Sequence, residues 1–88
     1  MSSQEKLEPI IKQLNDIIDD RTVPRNIRAA VEEAKKNLED KEKEWDVKIS
    51  TAVSILDEIT NDPNIPSYTR TQVWNIVSML EIVKNQGK

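Results

Sequence analysis

The hexapeptide NDPNIP at 61–66 halts any helix that reaches it, and DDRTVP at 19–24 does the same 42 residues earlier. Setting residues 14–38 over 56–80 without a gap turns this coincidence into a duplication. Seven of the 25 positions are identical: Leu14/Leu56, Ile17/Ile59, Asp20/Asp62, Pro24/Pro66, Arg28/Arg70, Val31/Val73 and Leu38/Leu80. Val23/Ile65 and Asp16/Glu58 are close matches, and the same offset places Leu7 on Ile49 and Ile11 on Val53. A unit with a breaker at its middle is a helical hairpin, which buries its apolar face only against another. The sequence therefore predicts an all-α fold, a four-helix up-and-down bundle built from two tandem helical hairpins. It is read as one helical domain over 1–88, with hairpin 1 at about 7–39, a joint at 40–46 and hairpin 2 at about 46–85.

Between the breaks, apolar residues recur three and four apart with Glu, Lys and Gln between them, the pattern of amphipathic helices. The first helix is expected from Pro9 to Asp19, since proline is tolerated in a first turn. A capping box of Ser2 and Glu5 would start it earlier but leave Pro9 too deep. Its stripe is Leu7, Ile10, Ile11, Leu14, Ile17 and Ile18. The second helix, 24–39, carries Ile27, Ala30, Val31, Ala34 and Leu38, a thin face that lets a neighbour approach closely. LEDKEKEWD has neither Gly nor Pro, and helical phase runs unbroken from Leu38 through Trp45 to Ile49. One helix over 24–60, about 54 Å long at 1.5 Å per residue, thus competes with a break at 40–46. The break is preferred because two short hairpins bury their faces better than a rod. The third helix, 46–60, presents Ile49, Ala52, Val53, Ile55, Leu56 and Ile59. The fourth opens at Pro66 or Ser67 and runs to about Asn85, with Gly87 as a stop signal.

The residues shared by the two breaks have a structural task. Asp20 and Asp62 accept N–H groups at the turn, and Pro24 and Pro66 pre-set φ for the next helix. Arg28 and Arg70, one turn further on, are expected to reach back to the aspartates as clasps across each elbow.

Little chemistry is on offer. Histidine and cysteine are absent, which removes the commonest general base and metal ligand, and with them disulfides and Fe–S clusters. Ser50, Ser54, Ser67 and Ser78 lie in helical pattern with no glycine elbow around them, and the one Gly is residue 87, so no phosphate loop exists. The core stripes contain no carboxylate, and the pairs Asp19/Asp20 and Asp57/Glu58 sit at helix ends facing turns. No enzyme activity, cofactor or metal site is expected. The net charge is −3, from 13 basic and 16 acidic residues that alternate, as in KEKEWDVK. Arg21, Arg25 and Arg28, with Lys35 and Lys36 beyond, form a small basic cluster diluted by Asp19, Asp20, Glu32 and Glu33. Tyr68 is the only tyrosine and there is no Phe, so stacking platforms are scarce. Nucleic acid is not the expected partner, and an RNA-associated accessory role through that cluster is the alternative reading. SSQEKLEP is too polar for a secretory signal and no apolar run spans a membrane, which points to a cytoplasmic protein.

One feature exceeds a bare bundle. Through the repeat, Glu32 becomes Trp74, Lys35 becomes Val77, Asn37 becomes Met79 and Asp40 becomes Ile82. Between residues 5 and 48, 22 of 44 are charged; between 49 and 83 only 5 of 35 are, with Arg70 the sole base. Val77 and Met79 flank the stripe of the fourth helix, where a deeper core absorbs them. Trp74 and Ile82, about 100° and 180° from Val73, point away from it. Either the N-terminal residues or the 38–46 joint folds over this side, or a partner covers it. Tryptophan and methionine are typical interface anchors. The favoured reading is a small non-enzymatic interaction or adaptor module that self-associates or docks a protein through helix four, at Trp74, Val77, Met79 and Ile82.

Each half, through Leu14, Ile17, Asp20, Val23, Pro24, Arg28, Ala29, Val31 and Leu38, resembles a HEAT-type hairpin, from which the second copy departs at Thr71, Trp74 and Ile76. A fuller resemblance covers nearly the whole chain. VPRNIRA (23–29) and LDEITNDPNIP (56–66) resemble a family of short archaeal proteins known only as uncharacterised. That resemblance implies a compact four-helix bundle of archaeal origin and brings no catalytic residues.

Overall fold

Each proline break ends one helix and starts the next. In a computed structural model describing residues 3–86, a short 3-10 turn (Ser3–Leu7) leads into α1 (Glu8–Ile18), followed by α2 (Arg25–Glu39), α3 (Trp45–Thr60) and α4 (Ser67–Gln86). The capping role weighed for Ser2 and the stop assigned to Gly87 lie outside the described residues. α1 packs on α2, α2 on α3, α3 on α4, and α4 returns to α1, closing a four-helix bundle 36 × 19 × 18 Å. α2, with Ala34 buried in its stripe, packs most extensively against α3. No strand is present among the described residues.

The rod over 24–60 does not form. The chain turns at Asp40, and it does so with the same turn that the two proline elbows use. Asp20 Oδ1 accepts the Thr22 N–H (2.9 Å), Asp40 Oδ1 that of Glu42 (3.0 Å) and Asp62 Oδ1 that of Asn64 (2.8 Å). One residue on, the backbone N–H of Val23, Lys43 and Ile65 bonds back to the carbonyl of the same aspartate. Four residues after each aspartate stands the residue before the next helix: Pro24, Glu44 or Pro66. Pro24 (φ −55°, ψ 148°) and Glu44 (φ −62°, ψ 149°) share one conformation, so proline fixes a geometry that glutamate also adopts. No described residue has positive φ, which is why a chain with a single Gly makes three sharp turns.

The core is aliphatic throughout. Leu7, Leu14, Ile27, Leu38, Leu56 and Leu80 are fully buried, and the repeat partners Val23 and Ile65 close it at the elbows. Cross-element side chains satisfy helix C-termini, whose last four carbonyls lack intrahelical partners. Gln4 Nε2 donates to the Leu38 carbonyl (2.9 Å), the Trp45 indole N–H to Val83 (3.2 Å), Lys6 Nζ to Gln86 (2.8 Å) and Arg70 Nε to Thr60 (3.1 Å). Lys48 is buried, and its ammonium donates to Gln4 Oε1 at 3.0 Å.

Candidate functional site

The arginines do not clasp the aspartates. Arg28 Nε donates to the Val23 carbonyl (3.0 Å) and Arg70 Nε to the Thr60 carbonyl. The aspartate oxygens are taken locally: Asp20 Oδ1 also accepts the Thr22 hydroxyl at 2.6 Å, and Asp62 Oδ2 accepts Asn26 Nδ2 at 2.9 Å. A short side chain bonding two residues ahead orders less chain than an arginine reaching back, so the local partners win. The Asn26–Asp62 bond spans the two elbows and sets them side by side at one end of the bundle. The arginines remain structural, holding orphan carbonyls in place of carboxylates.

The Thr22 hydroxyl and N–H, with a smaller contribution from the Arg28 charge, hold the Asp20 carboxyl below its ordinary value of 3.8. A carboxylate with a depressed folded value stabilises the fold above the unfolded value and loses that contribution as pH falls through the folded one. Asp20→Asn should therefore melt below the wild type near neutral pH, and the gap should shrink as pH falls from the ordinary aspartate value through the lowered one. Thermal melts from pH 7 to pH 2 measure this, and a constant gap across the range would refute it.

The basic cluster is dispersed. Arg21 and Arg25 are exposed, whereas Arg28 is half-buried and committed to Val23. Lys36 pairs with Glu32 at 3.9 Å. A shallow groove of about 240 Å³ between α1 and α2 mixes Arg25 and Arg28 with Ile18, Ala29 and Glu32. No group of three or more carboxylates is placed to hold a metal ion among the described residues. No described helix is long and apolar enough to cross a membrane.

The four residues of helix four separate. Val77 is buried and belongs to the core, so it offers no docking surface. Met79 is half-buried in the seam with α1, where its sulfur accepts Gln13 Nε2 at 3.4 Å. Trp74 and Ile82 stay 55% and 57% exposed, left uncovered by both the N-terminal turn and the 40–44 connector. Helical periodicity puts Thr71, Trp74, Ser78 and Ile82 on one outer face, with Tyr68, 71% exposed, at its margin. Of the exposed α4 residues only Glu81 is charged. Beside this face runs an α3–α4 groove of about 350 Å³, lined by Ser50, Val53, Ser54, Asp57, Glu81 and Lys84. Lys84 Nζ bridges it to the Ser50 hydroxyl at 2.9 Å.

Residues 1–83 match the profile of an uncharacterised protein family, UPF0147. A UPF0147 protein of Methanocaldococcus jannaschii is 54% identical over 81 residues, covering 92% of this chain and 87% of its own length. One from Sulfurisphaera tokodaii is 45% identical over 83 residues, covering 94% and 93%. Among solved structures, a Thermoplasma acidophilum protein of the same uncharacterised family superposes with a TM-score of 0.86 at 33% identity, covering 92% of this chain and 95% of its own. A protein of unknown function, MMP1188, superposes with a TM-score of 0.83 at 53% identity, covering 86% of each chain.

Proposed function

This chain belongs to UPF0147, an uncharacterised family, and from that premise we propose that it is a small non-enzymatic binding module of the cytoplasm that docks a protein through the outer face of α4. The observation that carries this reading is the exposure of Trp74 and Ile82 on a face with one charge. An indole and a branched aliphatic left in water add little to folding stability; contact with a partner is what would bury them. The equivalent positions of the first copy are Glu32 and Asp40, ordinary solvent-facing residues. The α3–α4 groove beside the face, with Asp57, Glu81 and Lys84, supplies the polar rim that such an interface needs.

Capture from native cells with the tagged full chain tests it, comparing wild type with Trp74→Glu/Ile82→Glu. The reading expects a partner, whether another protein or untagged copies of this chain, to be retained by the wild type and reduced at least about tenfold by the variant. Both proteins should melt alike. A partner held equally by both, or by neither, overturns the reading.

A further inference from the structure

We propose that the occupant of this face is a second copy of the chain, packed antiparallel along α4 about a two-fold axis at Ser78; this rests on the outer face of α4 being a docking surface.

The pattern of the face is its own complement. Trp74, Ser78 and Ile82 follow one another four residues apart, so they lie along one gently drifting row. Turning a second α4 end for end about Ser78 sets Trp74 against Ile82 twice, Thr71 against Asn85, and Asn75 against Glu81. Trp74 and Ile82, the two apolar side chains of this row, thus meet each other, and the small serine at the axis lets the helices approach. A two-fold interface is isologous, using the same patch on both copies. A face shaped for an unrelated protein has no need of this palindrome.

Charge selects the same arrangement. A two-fold duplicates every charge it covers, and like charges brought together oppose association. Half of the residues between 5 and 48 are charged, so the surfaces of the first hairpin are costly places to self-pair. On the outer face of α4 the one charge, Glu81, lands opposite the amide of Asn75. Parallel packing would instead set Glu81 against Glu81. With two Trp–Ile contacts as its apolar centre, the interface is small, and the dimer should be concentration-dependent.

The test uses the full chain in analytical ultracentrifugation from micromolar to millimolar concentration. Wild type should pass from monomer to twice the mass, and Ile82→Glu should move that transition to at least about tenfold higher concentration. Because the chain has no cysteine, Ser78→Cys is a clean probe of the axis. Under mild oxidation it should form a disulfide-linked dimer at least about tenfold faster than Thr71→Cys, whose partner position is Asn85. Both positions are exposed, so folding should survive, and melting curves verify it. A wild type monomeric at every concentration, a dimer indifferent to Ile82→Glu, or equal cross-linking at 71 and 78 each overturns the proposal. A monomer whose cellular partner is still lost with Trp74→Glu/Ile82→Glu overturns the second copy alone and leaves the docking face standing.

Discussion

Truncating Leu56 to alanine should destabilise the protein by about 2–5 kcal/mol, and Leu14→Ala should cost nearly the same. The two are repeat partners, and both are fully buried in the aliphatic core. Removing a buried leucine loses its transfer free energy and leaves a cavity that neighbouring helices close only in part. A domain of this length has about 5–15 kcal/mol in all, so one such change removes a large share. At roughly 4–8 °C per kcal/mol for this size, the melting temperature should fall by roughly 10 °C or more. Calorimetry of both variants checks it. Costs differing by more than about 2 kcal/mol would mean that the two hairpins are packed unequally despite their shared pattern.

The two tryptophans should behave oppositely. Trp45 packs its ring on the core and donates its indole N–H to the Val83 carbonyl at 3.2 Å, at the C-terminal end of α4. Trp45→Ala loses that packing and the cap together, for roughly 2–4 kcal/mol, below the range for a fully buried tryptophan because the residue is only half-buried. Trp45→Phe keeps most of the packing and forgoes the hydrogen bond, for about 1 kcal/mol. Trp74→Ala should stay within about 0.5 kcal/mol when measured on dilute protein. Urea unfolding of the three variants separates the roles. A large loss from Trp74→Ala would make that residue part of the fold and remove the case for a docking face.

How much of this was legible in the sequence follows from where each signal sits. The helices lie within one or two residues of their expected bounds, because Asp-x-x-x-Pro marks two of the connections and helical phase fills the rest. The connector at 40–44 carried the same signature with Glu44 in place of proline, and only the hydrogen bonds of Asp40 expose the kinship. Lys48 heads the stripe Lys48, Ala52, Leu56, Ile59, so phase alone pointed inward. Its charge argued for water, and what holds it inside is an uncharged acceptor, Gln4, 44 residues away. The destination of Arg28 and Arg70 was illegible for a related reason. An arginine one turn into a helix reaches carboxylate and carbonyl alike, and which is free depends on what the aspartate has already bound. On α4, periodicity alone separated Trp74 and Ile82 from the core; the burial of Val77 depended on how deep the bundle packs.

The middle connector has a consequence for how the molecule comes apart. Where the outer turns tuck Val23 and Ile65 into the interior, this one presents Lys43, exposed and reaching Asn37. Lacking that apolar rivet, and carrying Lys41 and Lys43 in the open, it is the place a trypsin-like protease should nick first. The cut would yield two near-equal halves, each a pair of helices, which the broad α2–α3 seam should hold together. The cut would thereby part the chain along its own repeat, into two hairpins still able to recombine as a split pair.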